Sequence, residues 1–319
     1  MNNCKLYLAP MEEVTTYVFR QVLDECFGGV DKYYTPFISP DQNKILKTRM
    51  GRELDPEHNK NLNTAIQVLT NNPEHFKDFS KIVSDLGYKE INLNIGCPSG
   101  TVVKKNKGSG MLRDLYSLER FLYEIFKNKS DDLEISVKTR IGIDESDDVS
   151  EILEVYNEFP ISELIVHPRY QKQFYNGKVD LEAFEYIYNN AKMPVGYNGD
   201  IKTKDDFVHI VNQFPKVSSV MIGRGCVTEP RLFSFIKNDI DAGYDSSDVE
   251  DKKVLRKFHD KLLDYYVSEY GPNDSVFKMK EFWSYYILNP AFKGKDLKPI
   301  RKAKTLSEYK SGIREIFYE

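Results

Sequence analysis

Eight strand-length runs, separated by amphipathic helical stretches, constrain this chain more than any other feature of its sequence. The runs fall at 5–11, 32–39, 64–70, 90–96, 134–141, 163–169, 195–198 and 219–225. Several are continuously apolar or β-branched, such as LIVH and SVMIG, the pattern of parallel strands covered on both faces. Between them the spacing predicts helices over 73–86, 115–128, 150–159, 181–191 and 204–214. In the first of these, Phe76, Phe79, Ile82, Val83 and Leu86 recur at spacings of three and four. Pro73 suits its first turn and Gly87 the position just past its end. Eight alternations in about 225 residues predict an α/β fold, a (β/α)8 TIM barrel. A doubly wound open sheet is the competitor, but no GxGxxG follows the first strand.

Beyond the barrel the pattern becomes helical throughout. Val254, Leu255, Phe258, Leu262, Tyr265 and Tyr266, then Met279, Phe282, Trp283 and Tyr286, recur at helical spacing. Gly271–Pro272 and Asn289–Pro290 should end helices. The polar stretch AGYDSSDVED at 242–251 is a plausible boundary. The expected organisation is a catalytic barrel over 1–243 and an all-helical bundle over 244–319. With 319 residues and 40% hydrophobic content, the chain can bury one large core and a smaller appended one. Charge divides along the same line. Residues 251–319 carry 15 Lys/Arg against 10 Asp/Glu, whereas residues 1–250 carry 30 against 39. Lys293, Lys295, Lys298, Arg301, Lys302 and Lys304 crowd a short segment opposed only by Asp296. This points either to a polyanionic partner or to a solvated basic face.

Cys4, Cys26, Cys97 and Cys226 are scattered, which argues against a disulfide framework and structural zinc. The five histidines show no HExxH or other metal spacing, so no metal is expected. The opening residues MNNCKLYLAP lack a basic-then-apolar signal pattern. No apolar run approaches the roughly 18 residues that span a bilayer. A cytoplasmic, reducing setting without a membrane partner is the expectation, and a monomer is the simplest state.

Ligands of a parallel barrel bind where its strands end. Strand one ends in Pro10 and Met11, strand three in Gln67, and strand four in Asn94, Gly96 and Cys97. Strand five carries Lys138 and Arg140, which alternation places on one face. Strand six ends in His167, strand seven in Asn198-Gly199-Asp200, and strand eight in Gly223-Arg224. The last two suit a phosphate cradle, where glycines admit the backbone and Arg224 offers a forked donor. A buried Lys138 requires an anion, which either a cofactor or a neighbouring carboxylate could supply. Cys97 reads as a nucleophile, a general acid or a structural thiol, and its place at a strand end favours chemistry. His167 reads as a ligand contact or a satisfied core histidine.

The segments LAPMEEVTTYVFR (8–20), IQVL (66–69), INLNIGCPSGTVVKKNKGSGML (91–112), VKTRIG (137–142), HPRYQKQFYNGKVD (167–180), NGDI (198–201) and MIGRGCVTEPRLF (221–233) together resemble the tRNA-dihydrouridine synthases. These are flavoenzymes that reduce selected uridines of tRNA. The resemblance implies an FMN-binding barrel with NADPH as reductant and tRNA as partner, gripped by the C-terminal helical domain. It places Pro10, Met11 and Gln67 along the isoalloxazine, Lys138 at its pyrimidine edge and His167 beside it. Asn198, Gly199, Asp200, Gly223 and Arg224 would hold the ribityl chain and phosphate. Asn94 and Arg140 would orient the uracil, and Cys97 would protonate carbon 5 after hydride reaches carbon 6. Where many members read HGRTR, this chain reads His167-Pro168-Arg169-Tyr170-Gln171, followed by Lys172, which is assigned to the substrate. Other outcomes are an FMN barrel acting on a free pyrimidine, a synthase acting on ribosomal RNA, and a catalytically silent RNA-binding protein.

Overall fold

The computed structural model describes residues 4–40, 49–240 and 249–318. Eight parallel strands close in sequence order into a barrel: β1 (Lys5–Leu8), β2 (Lys32–Tyr34), β3 (Thr64–Val68), β4 (Glu90–Ile95), β5 (Glu134–Arg140), β6 (Leu164–His167), β7 (Val195–Tyr197) and β8 (Ser219–Ile222). Between the strands run α1 (Tyr17–Cys26), α2 (Arg49–Leu54), α3 (Pro73–Asp85), α4 (Gly100–Val103), α5 (Leu115–Asn128), α6 (Val149–Asn157), α7 (Leu181–Asn190) and α8 (Lys204–Gln213). The predicted strands are all present but end earlier than read, and their last residues become the loops of the mouth. Helices α3, α5, α6 and α7 begin on side-chain caps from Asn72, Asp114, Asp148 and Asp180, which satisfy first-turn N–H groups left unbonded by the helix.

The chain divides into two compact units. The first comprises 1–10, 31–200 and 208–222 and contains all the described strands. Its outer core lies between strands and helices, where α5 buries Leu118, Phe121, Leu122 and Ile125. Its inner core holds Tyr7, Ala9, Tyr34, Ala65, Ile165 and Met221.

The second unit comprises 11–30, 201–207 and 223–319. Its described helices include α1, α9 (Arg224–Thr228), α10 (Leu232–Lys237), α11 (Val249–Tyr286), α12 (Lys298–Lys302) and α13 (Leu306–Tyr318). As the glycine–proline pair predicts, α11 is broken at Gly271, whose φ of 78° no helix accommodates. Asn289 caps a short turn over Pro290–Phe292. The core is aromatic: Phe258, Phe282, Trp283, Tyr286, Phe292 and Phe317 are buried together. Most of the expected boundary segment 242–251 lies outside the described residues. Among the described residues no helix is long and apolar enough to cross a membrane.

Candidate active site

Inward-facing positions of the first unit assemble the site. Alternation along β4 turns Glu90, Asn92 and Asn94 to one face, and Asn94 is registered opposite Lys138 on β5. Arg140, two residues further along, is registered opposite His167 on β6. Gln67, Asn94, Lys138, Arg140 and His167 therefore gather toward the strand ends.

Cys97 sits on a turn held from several sides. Asn94 Oδ1 accepts from the N–H groups of Gly96 (3.2 Å) and Cys97 (2.9 Å), and Asn94 Nδ2 donates to Gln67 Oε1 at 2.9 Å. The Cys97 carbonyl accepts from Ser109 N (3.1 Å) and Ser109 Oγ (2.8 Å). Gly108 makes this closure possible. Its φ is +57°, and a Cβ there would lie 2.8 Å from the Cys97 carbonyl oxygen. The Gly-rich basic loop thus folds back on Cys97 and leaves the residue half-buried.

The Gln67–Asn94 contact tops a polar column through the barrel. Gln67 Nε2 donates to Asn92 Oδ1 (2.8 Å), Asn92 Nδ2 to Ser136 Oγ (2.8 Å), and Ser136 Oγ to Glu90 Oε1 (2.6 Å). Glu90 pairs with Lys32 at the strand starts. Buried polar groups are tolerable when every member is satisfied, and such a network fixes one geometry.

Lys138 is half-buried beside Arg140 and near Cys97. Among the described residues, its ammonium makes no hydrogen bond or ion pair. Burial first, and then the Arg140 charge, push its pKa down to about 7, while negative charge on Cys97 pulls it up. Arg140 is buried and donates to three carbonyls: Gly96 (2.9 Å), Tyr170 (2.9 Å) and Phe174 (2.7 Å). It ties the Cys97 turn to the loop after β6. Tyr175 of that loop is 53% exposed, with Arg140 5.6 Å from its ring and the His167 ring at 6.0 Å.

His167 Nε2 lies 3.1 Å from Arg169 Nη1. A guanidinium has only donors, so Nε2 accepts and the imidazole proton belongs on Nδ1. Arg169 is itself held by both carboxylate oxygens of Asp200 and by the Gly177 carbonyl. Asn198 Nδ2 donates to the Met221 carbonyl (2.8 Å), joining the ends of β7 and β8. Gly199 and Gly225 each allow a close approach. A Cβ on Gly199 would meet Val179 and Tyr197, and one on Gly225 would lie 2.0 Å from the Ile201 carbonyl oxygen.

Pro10 lies in the first unit just past β1, while Met11, Gly223 and Arg224 belong to the second. Lys172 stands at the surface, 66% exposed and paired with Asp144. Gln171 donates to the Pro98 carbonyl at 3.2 Å. Motif reading missed Tyr175, Gln171 and Asn92. Only Asn92 left a signal, since polar residues at every second position of β4 mark a polar inner stripe.

Comparison with known proteins decides the affiliation. The sequence model of dihydrouridine synthase (Dus) matches residues 7–308. The chain belongs to the dihydrouridine synthase family. A protein of Staphylococcus epidermidis named a probable tRNA-dihydrouridine synthase is 31% identical over 241 residues, covering 71% of this chain and 70% of that one. The tRNA-dihydrouridine(16) synthase of Pseudomonas putida is 29% identical over 234 residues, covering 72% of each. A Rickettsia typhi protein, also named a probable tRNA-dihydrouridine synthase, is 28% identical over 273 residues, covering 83% of this chain and 80% of its own. Among solved structures, morphinone reductase in complex with tetrahydroNAD superposes with a TM-score of 0.52 at 8% identity, covering 74% of this chain and 87% of that one. Histamine dehydrogenase from Rhizobium sp. 4-9 gives 0.54 at 11% identity, covering 74% and 46%. These likenesses show that this member of the dihydrouridine synthase family has the TIM-barrel fold.

Proposed function

We propose that this protein reduces uridine in tRNA to 5,6-dihydrouridine, using FMN as cofactor and NADPH as reductant. The observation that carries the reading is the Cys97 turn, pinned by Asn94 and Ser109 near Lys138 in a barrel of this family. Relatives named for tRNA support the substrate class.

The residues present suit a flavin. A half-buried ammonium beside a guanidinium is costly until an anion arrives, and a reduced flavin carries negative charge near its pyrimidine ring. Lys138, Pro10, Met11, Gln67 and His167 would surround the ring system. Asn198, Gly199, Gly223 and Arg224 would hold the ribityl chain and phosphate. Asp200 would act through Arg169, which it holds against His167.

Bound and reduced, FMN supplies the hydride that adds to carbon 6 of uracil. Negative charge then develops at carbon 5, and Cys97 Sγ gives its proton there. Asn94 fixes the backbone that carries the thiol. Lys138 stabilises the thiolate left behind, the same interaction that pulls the Lys138 pKa up. Solvent restores the proton, since Cys97 is half-buried rather than sealed.

A base reaches this mouth only by leaving its stack. Tyr175 offers it an exposed ring, and Arg140 shapes the mouth through the carbonyls it holds. The Lys172–Asp144 pair is exposed and yields to a phosphate at little cost. We assign catalysis to residues 1–243 and RNA binding to 244–319, where Lys293, Lys298, Arg301, Lys302 and Lys304 are exposed. A cytoplasmic monomer fits this role.

The test is nucleoside mass spectrometry of unmodified tRNA after incubation with protein, FMN and NADPH, mapped by position. Dihydrouridine at defined sites is the expected product. Cys97→Ala should keep the yellow flavin and lose about a hundredfold or more in rate. A wild-type rate in that variant would remove the proton-donor role. Reduction of free uracil with tRNA untouched would replace the RNA reading by a free-pyrimidine one.

A further inference from the structure

The outer wall of the first unit carries a surface that the chemistry at the barrel mouth does not use. Helix α5 turns its apolar residues inward and leaves Tyr116, Arg120, Tyr123 and Lys127 on the opposite face, at spacings of four, three and four. Tyr116 is 68% exposed and Tyr123 57%. Arg120 lies 5.9 Å from the Tyr116 ring and Lys127 lies 5.7 Å from the Tyr123 ring, so cations and rings alternate along the helix.

Near the start of α5, on a different side of the helix from the stripe, is a cavity of about 280 Å³. Asn71, Asn106, Arg113, Asp114 and Ser117 line it above an apolar floor that includes Met111 and Phe121. Asn71 Nδ2 donates to the carbonyls of Lys105 (3.0 Å) and Asn106 (3.1 Å), which fixes the rim. Lys104, Lys105 and Arg113 are exposed there. Three acids stand nearby: Asp114 caps α5 through Ser117, Glu119 is exposed beside Arg120, and Glu124 accepts from Asn128.

We propose that this face is a second RNA-contact surface. The cavity takes one unstacked nucleotide of the substrate RNA, and the α5 stripe grips the strand where it passes along the outer face of the helix. The inference rests on the RNA reading given above. Three features favour RNA over a protein partner. Lys104, Lys105, Arg113, Arg120 and Lys127 outnumber Asp114, Glu119 and Glu124 on this segment, an excess that suits a phosphate backbone. The rings between them suit base stacking, which tolerates any sequence. Amide side chains at the cavity rim match base edges.

The experiment is fluorescence anisotropy of labelled tRNA with the full-length protein across a KCl series, together with steady-state kinetics. Arg120→Ala/Lys127→Ala should weaken binding several-fold and reduce the slope of log affinity against log salt by about 1–2. Tyr116→Ala/Tyr123→Ala should weaken binding about five-fold or more with the slope retained. In both, KM for tRNA rises while kcat at saturation and flavin content stay as in wild type. Unchanged affinity and slope in both variants, with wild-type circular dichroism, would overturn the inference and leave the face to another macromolecule. If the wild-type protein itself fails to bind tRNA, the parent reading falls as well, before any variant is made.

Discussion

Lys138 is the residue whose surroundings say most about its use. Its depressed pKa means that the free protein holds it neutral above about 7, whereas an unfolded chain keeps it charged up to about 10.5. Below 7 the full cost of a buried ammonium is present in the folded free protein. That cost is relieved as pH rises from 7 toward 10.5. Lys138→Met should therefore raise the melting temperature of flavin-free protein at pH 6.5 and give a smaller gain at pH 9. Function should move the other way. Reduced flavin, as an anion, selects the charged lysine, so its affinity should fall as pH rises through about 7, by up to tenfold per pH unit. The variant should bind it weakly at every pH, and anaerobic titration of reduced flavin would show a flat profile. A wild-type pH profile in Lys138→Met would remove the assigned partnership.

At the scale of elements, the loop over 104–113 exists to close on Cys97. Gly108→Ala would require a left-handed backbone and force a Cβ against the Cys97 carbonyl oxygen. A loss of at least about 1–2 kcal/mol in urea unfolding is expected from the backbone alone. Alkylation of Cys97, followed by peptide mass spectrometry, should accelerate in that variant. Equal stability and labelling would show that the loop does not hold the turn. The barrel elements were largely legible because their signals are local. Helical spacing and a strand-length apolar run placed α5 and β5 closely. Strand ends were not legible. β1 reads as continuing to Met11, yet the strand ends at Leu8; its last bond to β8 is from Ala9 N–H to the Ile222 carbonyl (2.8 Å), and Met11 N–H turns instead to Thr15 Oγ1 (2.7 Å). Helix α1 went unread altogether. In the site, alternation alone put Lys138 and Arg140 together. Tyr175 was hidden because its place depends on Arg140 bonds to carbonyls some thirty residues away in sequence.

At the scale of the whole molecule, the two units are built on different cores. The second is an aromatic cluster, while the first is an apolar shell around a polar centre line. Asn92→Leu is the sharpest probe of that line. It removes the acceptor of Gln67 and a donor to Ser136, and should cost about 1–3 kcal/mol in urea unfolding. Uridine reduction should drop although Asn92 makes no bond to Cys97. A wild-type rate in a folded Asn92→Leu protein would show that Asn94 keeps its place unaided. The chain of bonds from Lys32 and Glu90 up to Asn94 has a consequence for how such an enzyme can change over generations. Substitutions at the floor of the barrel, at the far end of the strands from the thiol, would be felt at the open end as small shifts in where that thiol stands. A selection for altered turnover should therefore recover hits at Lys32, Glu90 and Ser136 as readily as beside the substrate, and the floor becomes a dial for a reaction it never meets.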